Sequence, residues 1–146
     1  MPTTYDWRVG IIDRKPLFIA RYHMAPDHWQ IIKHDASGCM VDEGLTECLS
    51  VDDPAYKNII KTALKAANLI GDGLYGVDLK EIDGKVVVIE INDNPNIDAG
   101  VEDSILGKDL YKKIMQVFLQ RVERKKQLKL SDPVSKNETE LLGKKK

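Results

Sequence analysis

The chain has 146 residues, 42% of them hydrophobic and 31% charged, and a net charge of −1. That length and balance fit one compact globular domain with its own core. They give no electrostatic case for nucleic acid or a membrane surface as partner, no apolar run is long enough to span a bilayer, and residues 1–10 lack the regions of a secretory signal, so a cytoplasmic location is expected.

The two cysteines, Cys39 and Cys48, form no C-x-x-C pair, which disfavours a thiolate zinc site. In chain order, Val9 to Ile12 and Leu17 to Tyr22 read as strands joined by the turn Asp13-Arg14-Lys15-Pro16, a hairpin signature. Trp29 to Lys33 is a candidate third strand. His34 to Asp53 reads as a polar loop with one ordered piece at Thr46 to Val51. Asp53-Pro54 then supplies an N-cap and a first-turn proline, which predicts a helix start. Tyr56, Ile59, Ile60, Ala63, Leu64, Ala67 and Ile70 recur at helical spacing, and Gly71 is placed to close the helix. Strands are expected over Leu74 to Glu81 and Val86 to Asn92. A second helix is expected from about Lys108 to about Lys126, with the stripe Leu110, Ile114, Val117, Phe118 and Val122. The charged end of the chain, 127–146, predicts a disordered tail. Hairpins mixed with helices imply an α+β fold: an antiparallel sheet with helices packed on one face.

The informative stretch is Gly76 to Asn96, GVDLKEIDGKVVVIEINDNPN. Strand side chains alternate between faces. Tyr75, Val77 and Leu79 form one apolar set, and Val87, Ile89 and Ile91 a second, so these are expected to share a buried face. The opposite face then carries Asp78, Glu90 and Asn92. Residues opposite each other in an antiparallel pair lie on the same side. Odd can face odd only across a loop of odd length, which predicts a three-residue loop, Ile82-Asp83-Gly84, with Gly84 left-handed in a bulge. Two carboxylates brought together repel unless a cation sits between them. Two carboxylates and an amide oxygen suit Mg²⁺ better than zinc. Polar residues on the wet face of a half-buried sheet are the plainer alternative. The polar run Asn92-Asp93-Asn94-Pro95-Asn96 directly after an apolar strand, with Pro95 fixing the exit of the chain, favours the cation.

GVDL followed by EINDNPN resembles the ATP-grasp signature, in which a strand aspartate precedes E-[VI]-N-x-[NS]-P. The run GDGLYGVDLKEIDGKVVVIEINDNPNIDAGVED looks most like the ribosomal-protein-S6-modification (glutamate ligase) branch, close to glutathione synthase, and Asp6 to Met24 resembles the same branch. The likeness covers roughly residues 1–124 and implies a metal-binding C-terminal subdomain over 1–126. It implies that Asp78 and Glu90 hold one Mg²⁺ and that Glu90 and Asn92 hold a second, with Mn²⁺ as a substitute. It implies a catalytic Arg8 that approaches the phosphates of ATP, support of the phosphate end by Asn94, and a substrate- or nucleotide-side role for Lys33 or His34. The arginine that precedes the first metal aspartate in D-alanine ligases is Val77 here, which leaves the stabiliser of the intermediate unassigned. The implied reaction is ATP-dependent. A carboxylate becomes an acylphosphate and an amine displaces phosphate, with glutamate and a peptide or protein as the substrates.

An ATP-grasp site also needs lid lysines and an adenine-binding hinge, and neither has a counterpart in this sequence. Met1 therefore reads as a start inside a longer gene. The chain alone is expected to be inactive and to bind ATP weakly. Its sheet is expected to lack a neighbour at the N-terminal edge, favouring a homodimer or a complementing chain. The competing expectation is a non-catalytic remnant of the fold that serves as a binding module.

Overall fold

The computed structural model describes residues 3–24, 32–34, 40–43 and 45–131. Its centre is a five-stranded antiparallel sheet, β1 (Tyr5–Ile12), β2 (Lys15–His23), β5 (Thr46–Leu49), β6 (Leu74–Ile82) and β7 (Lys85–Asn92), in the order β5-β2-β1-β6-β7. Two short strands, β3 (Ile32–His34) and β4 (Met40–Glu43), pair separately. Helix α1 (Lys57–Ile70) lies between β5 and β6 in the chain, and α2 (Lys108–Ser131) follows β7. This is the expected α+β arrangement. The chain divides into two compact units, residues 1–110 and 111–146.

Three features differ from the sequence reading. First, β4 falls in the stretch expected to be loop, and β3 ends at His34, while Trp29 to Ile31 lie outside the described residues. Second, α2 continues to Ser131, past the expected end at Lys126. Its Phe118 and Val122 are exposed although Leu110 is buried. The rest of the expected tail lies outside the described residues. Third, β1 is not an edge. It is hydrogen-bonded to β2 on one side and to β6 on the other, and the edges among the described strands are β5 and β7. The N-terminal edge expected to seek a second copy is therefore covered by β6, which arrives from much later in the chain.

One face of the sheet holds the core. Trp7, Val9, Ile11, Ile19, Tyr75, Val77 and Leu79 are buried there with Ile59, Ile60, Ala63 and Ala67 of α1. Each fully buried aliphatic side chain of this kind stabilises by about 1.5–3 kcal/mol. The first turn of the helical segment, Pro54–Tyr56, is a 3-10 turn capped by the Asp53 carboxylate, which accepts the Ala55 N–H at 2.9 Å. Ile70, counted in the expected stripe, is instead exposed beside Leu69, because the helix ends there with the Gly71 N–H bonded to the Ala67 carbonyl.

The β6–β7 hairpin turns through two residues, since Ile82 pairs with Lys85. Asp83 and Gly84 have φ of 51° and 73°, the left-handed pair that a two-residue hairpin turn requires. The three-residue loop is thus wrong. The parity it was meant to supply comes from a bulge instead. Leu79 pairs with Val88 while Asp78 pairs with Glu90, so Ile89 is an extra residue on β7. Near the turn, Val86 and Val88 pack against the core and Val87 is exposed; beyond the bulge Ile91 packs inward. Val87 and Ile89 are therefore outside, not in the buried set.

On the other face, Gly10 lies opposite Phe18, and a Cβ at residue 10 would stand 2.2 Å from the Phe18 ring. Phe18 is buried, so the ring has little room to give way. Gly10→Ala should destabilise the domain by about 1–3 kcal/mol, the usual cost of overpacking. Phe18→Leu added to it should recover part of that loss. Urea unfolding of the two variants measures both, and an unchanged midpoint for Gly10→Ala would contradict the packing described.

Candidate functional site

The face opposite the α1 core is built by strand register. Arg8 pairs with Ala20 on β2 and with Asp78 on β6, and Asp78 pairs with Glu90 on β7. Cys48 of β5 pairs with Ala20. One row across all five strands thus reads Cys48, Ala20, Arg8, Asp78, Glu90. Asn92 pairs with Gly76, one step along the same face. The structure brings together Asp78, Glu90 and Asn92 as the residue pattern requires, and adds Arg8 beside them.

Arg8 and Asp78 form a bidentate pair, Nε to Oδ1 at 2.7 Å and Nη2 to Oδ2 at 2.8 Å. Their side chains are only 21% and 19% exposed, so water screens the pair weakly. The hydrogen bond to Asp78 raises the already high pKa of Arg8, and burial opposes it without winning. Asp78 nevertheless titrates above the ordinary aspartate value. Burial is the main cause, and Glu90 pushes the same way, outweighing the pull of Arg8. The Asn92 amide Nδ2 donates to Glu90 Oε1 at 2.9 Å. One guanidinium therefore serves Asp78, and an amide serves Glu90, in a patch that carries two carboxylates. A second cationic partner would relieve what remains of their repulsion.

These residues fit a hard divalent cation by the chemistry of the donor set. Asp78 and Glu90 would supply carboxylate oxygens and Asn92 an amide oxygen. Among the described residues no three His, Cys, Asp or Glu side chains cluster in a metal-holding group; the set here is two carboxylates and an amide. Arg8 was expected to approach phosphates; in the structure its guanidinium is held by Asp78. Asn94 sits exposed in the bend after β7. Lys33 pairs through its backbone with Asp42 in the β3–β4 ladder, and its side chain, like that of His34, lies outside the described residues.

Several residues near this patch were not singled out by the sequence. Lys80, next to Asp78 on the same face, donates to Asp6 Oδ1 at 2.6 Å and Thr3 Oγ1 at 2.8 Å. Val87 lies opposite Lys80 and is exposed, as is the bulged Ile89. Apolar surface thus borders the carboxylates. The only sequence signal for it is the unbroken apolar run Val86 to Ile89, too long for simple alternation. Tyr22 carries the Arg8 guanidinium 5.1 Å from its ring centroid. Its hydroxyl donates to Glu102, the one buried charged residue among those described. Burial first, and then the Glu102 carboxylate, hold the Tyr22 phenol well above its usual pKa, so it stays a donor.

The segment after β7 lies over this face. A Cβ at Gly76 would come within 2.8 Å of Pro95, so the glycine lets the proline approach and turn the chain. The Cys48 thiol donates to the Val101 carbonyl at 3.0 Å. Burial raises its pKa, so it remains a thiol.

No protein-family model matches the sequence, and no curated protein does. Solved structures do match. The ATP-grasp ligase PsnB, solved with a phosphomimetic variant of its minimal precursor, Mg and ADP, matches 80% of this chain over 34% of its own length, at 24% identity and a TM-score of 0.52. D-alanine–D-alanine ligase from Bacillus anthracis matches 84% of this chain over 42% of its own, at 18% identity and a TM-score of 0.59. At these identities the likeness is one of fold. The chain shares part of the ATP-grasp ligase fold and spans less than half the length of either chain.

The charge balance of the patch can be read directly. The Asp78 γ-carboxyl, followed by ¹³C NMR as pH rises, should titrate above the ordinary aspartate range. Glu90→Gln removes a like charge and should lower that midpoint. Arg8→Met removes the cation and should raise it further. A midpoint insensitive to both substitutions would contradict the proximity described.

Proposed function

We propose that this chain is the cation- and nucleotide-phosphate-holding subdomain, residues 1–126, of an ATP-dependent carboxylate–amine ligase, of the branch that joins glutamate to a peptide or protein. The observation that carries the reading is the direct pairing of Asp78 with Glu90 on the same face as Asn92 and Arg8. The partial ATP-grasp fold supports it independently.

In this reading Asp78, Glu90 and Asn92 hold Mg²⁺, and Arg8 is the phosphate-side cation. Bound there, the ion would neutralise phosphate charge during transfer. The residues of the chain do the rest by placement. Arg8 offers a planar two-pronged donor that suits phosphate oxygens as well as it suits the Asp78 carboxylate. A cation taken up by Asp78 and Glu90 would compete with the guanidinium for Asp78, which frees Arg8 to turn toward a phosphate. The apolar Val87 and Ile89 give the non-phosphate end of a nucleotide a surface to rest on. Pro95 over Gly76 closes one side of the patch against water. Asn94 and Lys33 are assigned to the nucleotide or substrate side on the family resemblance. The solved ligases extend well beyond the part shared here. Activity is accordingly assigned to the chain together with further polypeptide, in the same molecule or a partner, and the chain alone is assigned none.

Calorimetric titration of the chain with MnCl₂ and with Mg-ADP tests the site. Asp78→Asn and Glu90→Gln should each weaken binding of the ion by about tenfold or more, since disturbing even an outer partner of a metal ligand costs that much. Binding that is unchanged in both variants, with the fold intact, would overturn the assignment.

A further inference from the structure

Glu102 is 3% exposed, and an unpaired carboxylate is costly to bury. Its two oxygens accept from the Tyr22 hydroxyl and, at 2.8 Å, from the Asp98 N–H. Both donors are neutral. A glutamine could accept from only one of these two donors and would turn its own NH2 toward the other, so the two acceptor oxygens account for a carboxyl at this place, while neither donor brings a charge to offset it. The nearest cation along the chain of contacts is Arg8, one aromatic ring away, with its guanidinium 5.1 Å from the Tyr22 ring centroid. The opposite face of that guanidinium's environment is Asp78, bonded through both prongs. Arg8 is thus held by two anchors. One is the Asp78 carboxylate. The other is a phenol whose ring is fixed by a buried carboxylate 80 residues away in the chain.

The register leaves room for this. The residue directly opposite Arg8 on β2 is Ala20, which is small, and Tyr22 stands two residues along on the same face. The segment that carries Glu102 is tied to β5 by the Cys48–Val101 bond and closed on itself by the Asp98 N–H bond to Glu102.

We propose that Tyr22 and Glu102 are positioning residues for Arg8, keeping its guanidinium at the ligand face when Asp78 gives it up. The second half of this statement rests on the reading of Asp78 as a cation ligand; the first does not. The Tyr22 ring lies against the guanidinium and its phenol oxygen also accepts a hydrogen bond from it, so the N–H groups that can turn to an anion are Nε and Nη2, the two now on Asp78. The buried Glu102 charge strengthens the hold by fixing the phenol and by adding a negative potential behind it.

The experiment is ¹⁵N NMR of the Arg8 Nε–H in the full chain, read as its protection from exchange with water. The variants are Asp78→Ala, which removes the first anchor, and Asp78→Ala combined with Tyr22→Phe, with Glu102→Gln or with Tyr22→Leu. In Asp78→Ala alone the Nε–H signal should persist. Each added substitution should lower protection severalfold, Tyr22→Leu most, while the backbone amide signals of β1 keep their positions. A merely structural pair would move the backbone and the arginine together. Equal Arg8 protection in Asp78→Ala and in the Tyr22→Phe and Glu102→Gln doubles overturns the proposal, and these two conservative changes decide the matter if Tyr22→Leu fails to fold. A separate arm adds MgCl₂ to the wild-type chain. An Arg8 signal that shifts and stays protected supports the exchange of partners. A signal that does not respond to Mg²⁺ defeats the cation reading of Asp78 while leaving the positioning test intact.

Discussion

One extra residue, Ile89, decides what β7 shows to each side. A regular strand paired from the Asp83-Gly84 turn would keep the phase set by Ile82 and Lys85 along its whole length. That phase puts Val86 and Val88 inward. Carried on, it would put Glu90 inward too, under the helix and away from Asp78. The bulge resets the phase, so Ile91 returns to the core and Glu90 comes to lie opposite Asp78. A bulge costs a ladder interaction and adds local twist. Here it gives a strand that is apolar inward at both ends and acidic outward at its far end.

The second constraint is electrostatic. The outer face carries a row of charges from neighbouring strands, with Asp6, Arg8, Asp78, Lys80 and Glu90 arranged so that each cation meets a carboxylate. Lys80 is taken up by Asp6 and Arg8 by Asp78, while Glu90 meets the Asn92 amide and the Asp78 carboxyl and no cation among the described residues. Glu90 is also exposed. The acid with the least compensation is therefore the most exposed one, and Asp78 holds its proton more tightly first through its own burial and then through Glu90. A bound cation here would offset the repulsion between the two carboxylates, and the segment 95–102 lies beside the patch.

Much of this was legible in the residues. The Asp53-Pro54 start and the 59, 60, 63, 67 spacing identify α1, and the alternation of Tyr75, Val77 and Leu79 identifies the inner face of β6. The requirement that Asp78 and Glu90 share a face was correct, and its cause was misplaced. Asp-Gly is a strong signal for a two-residue turn, and the structure has that turn. The bulge had no signal, because Val86, Val87, Val88 and Ile89 are all apolar and alternation cannot choose among them. The partners of Arg8 were out of reach for another reason. Asp78 and Glu102 are far from Arg8 and Tyr22 in sequence, 70 and 80 residues respectively, and only the β1–β6 register and the course of the chain after β7 bring them close. The central position of β1 has the same origin. The candidate strand Trp29 to Lys33 overlaps β3, but β4 lies in a polar stretch that lacks the apolar alternation by which strands are recognised, so the ladder between them could not be foreseen.

The account rests on a divalent ion choosing the surface between Asp78 and Glu90. Paramagnetic broadening by substoichiometric Mn²⁺ in ¹H–¹⁵N spectra of the chain tests that choice most directly, because it maps the ion's location without needing activity. The account predicts that the amide signals of residues 77–79 and 89–92 fade first, together with the Arg8 side-chain signal, and that Glu90→Gln abolishes the effect. Broadening centred elsewhere, or spread evenly over the acidic surface and unaffected by Glu90→Gln, would contradict it.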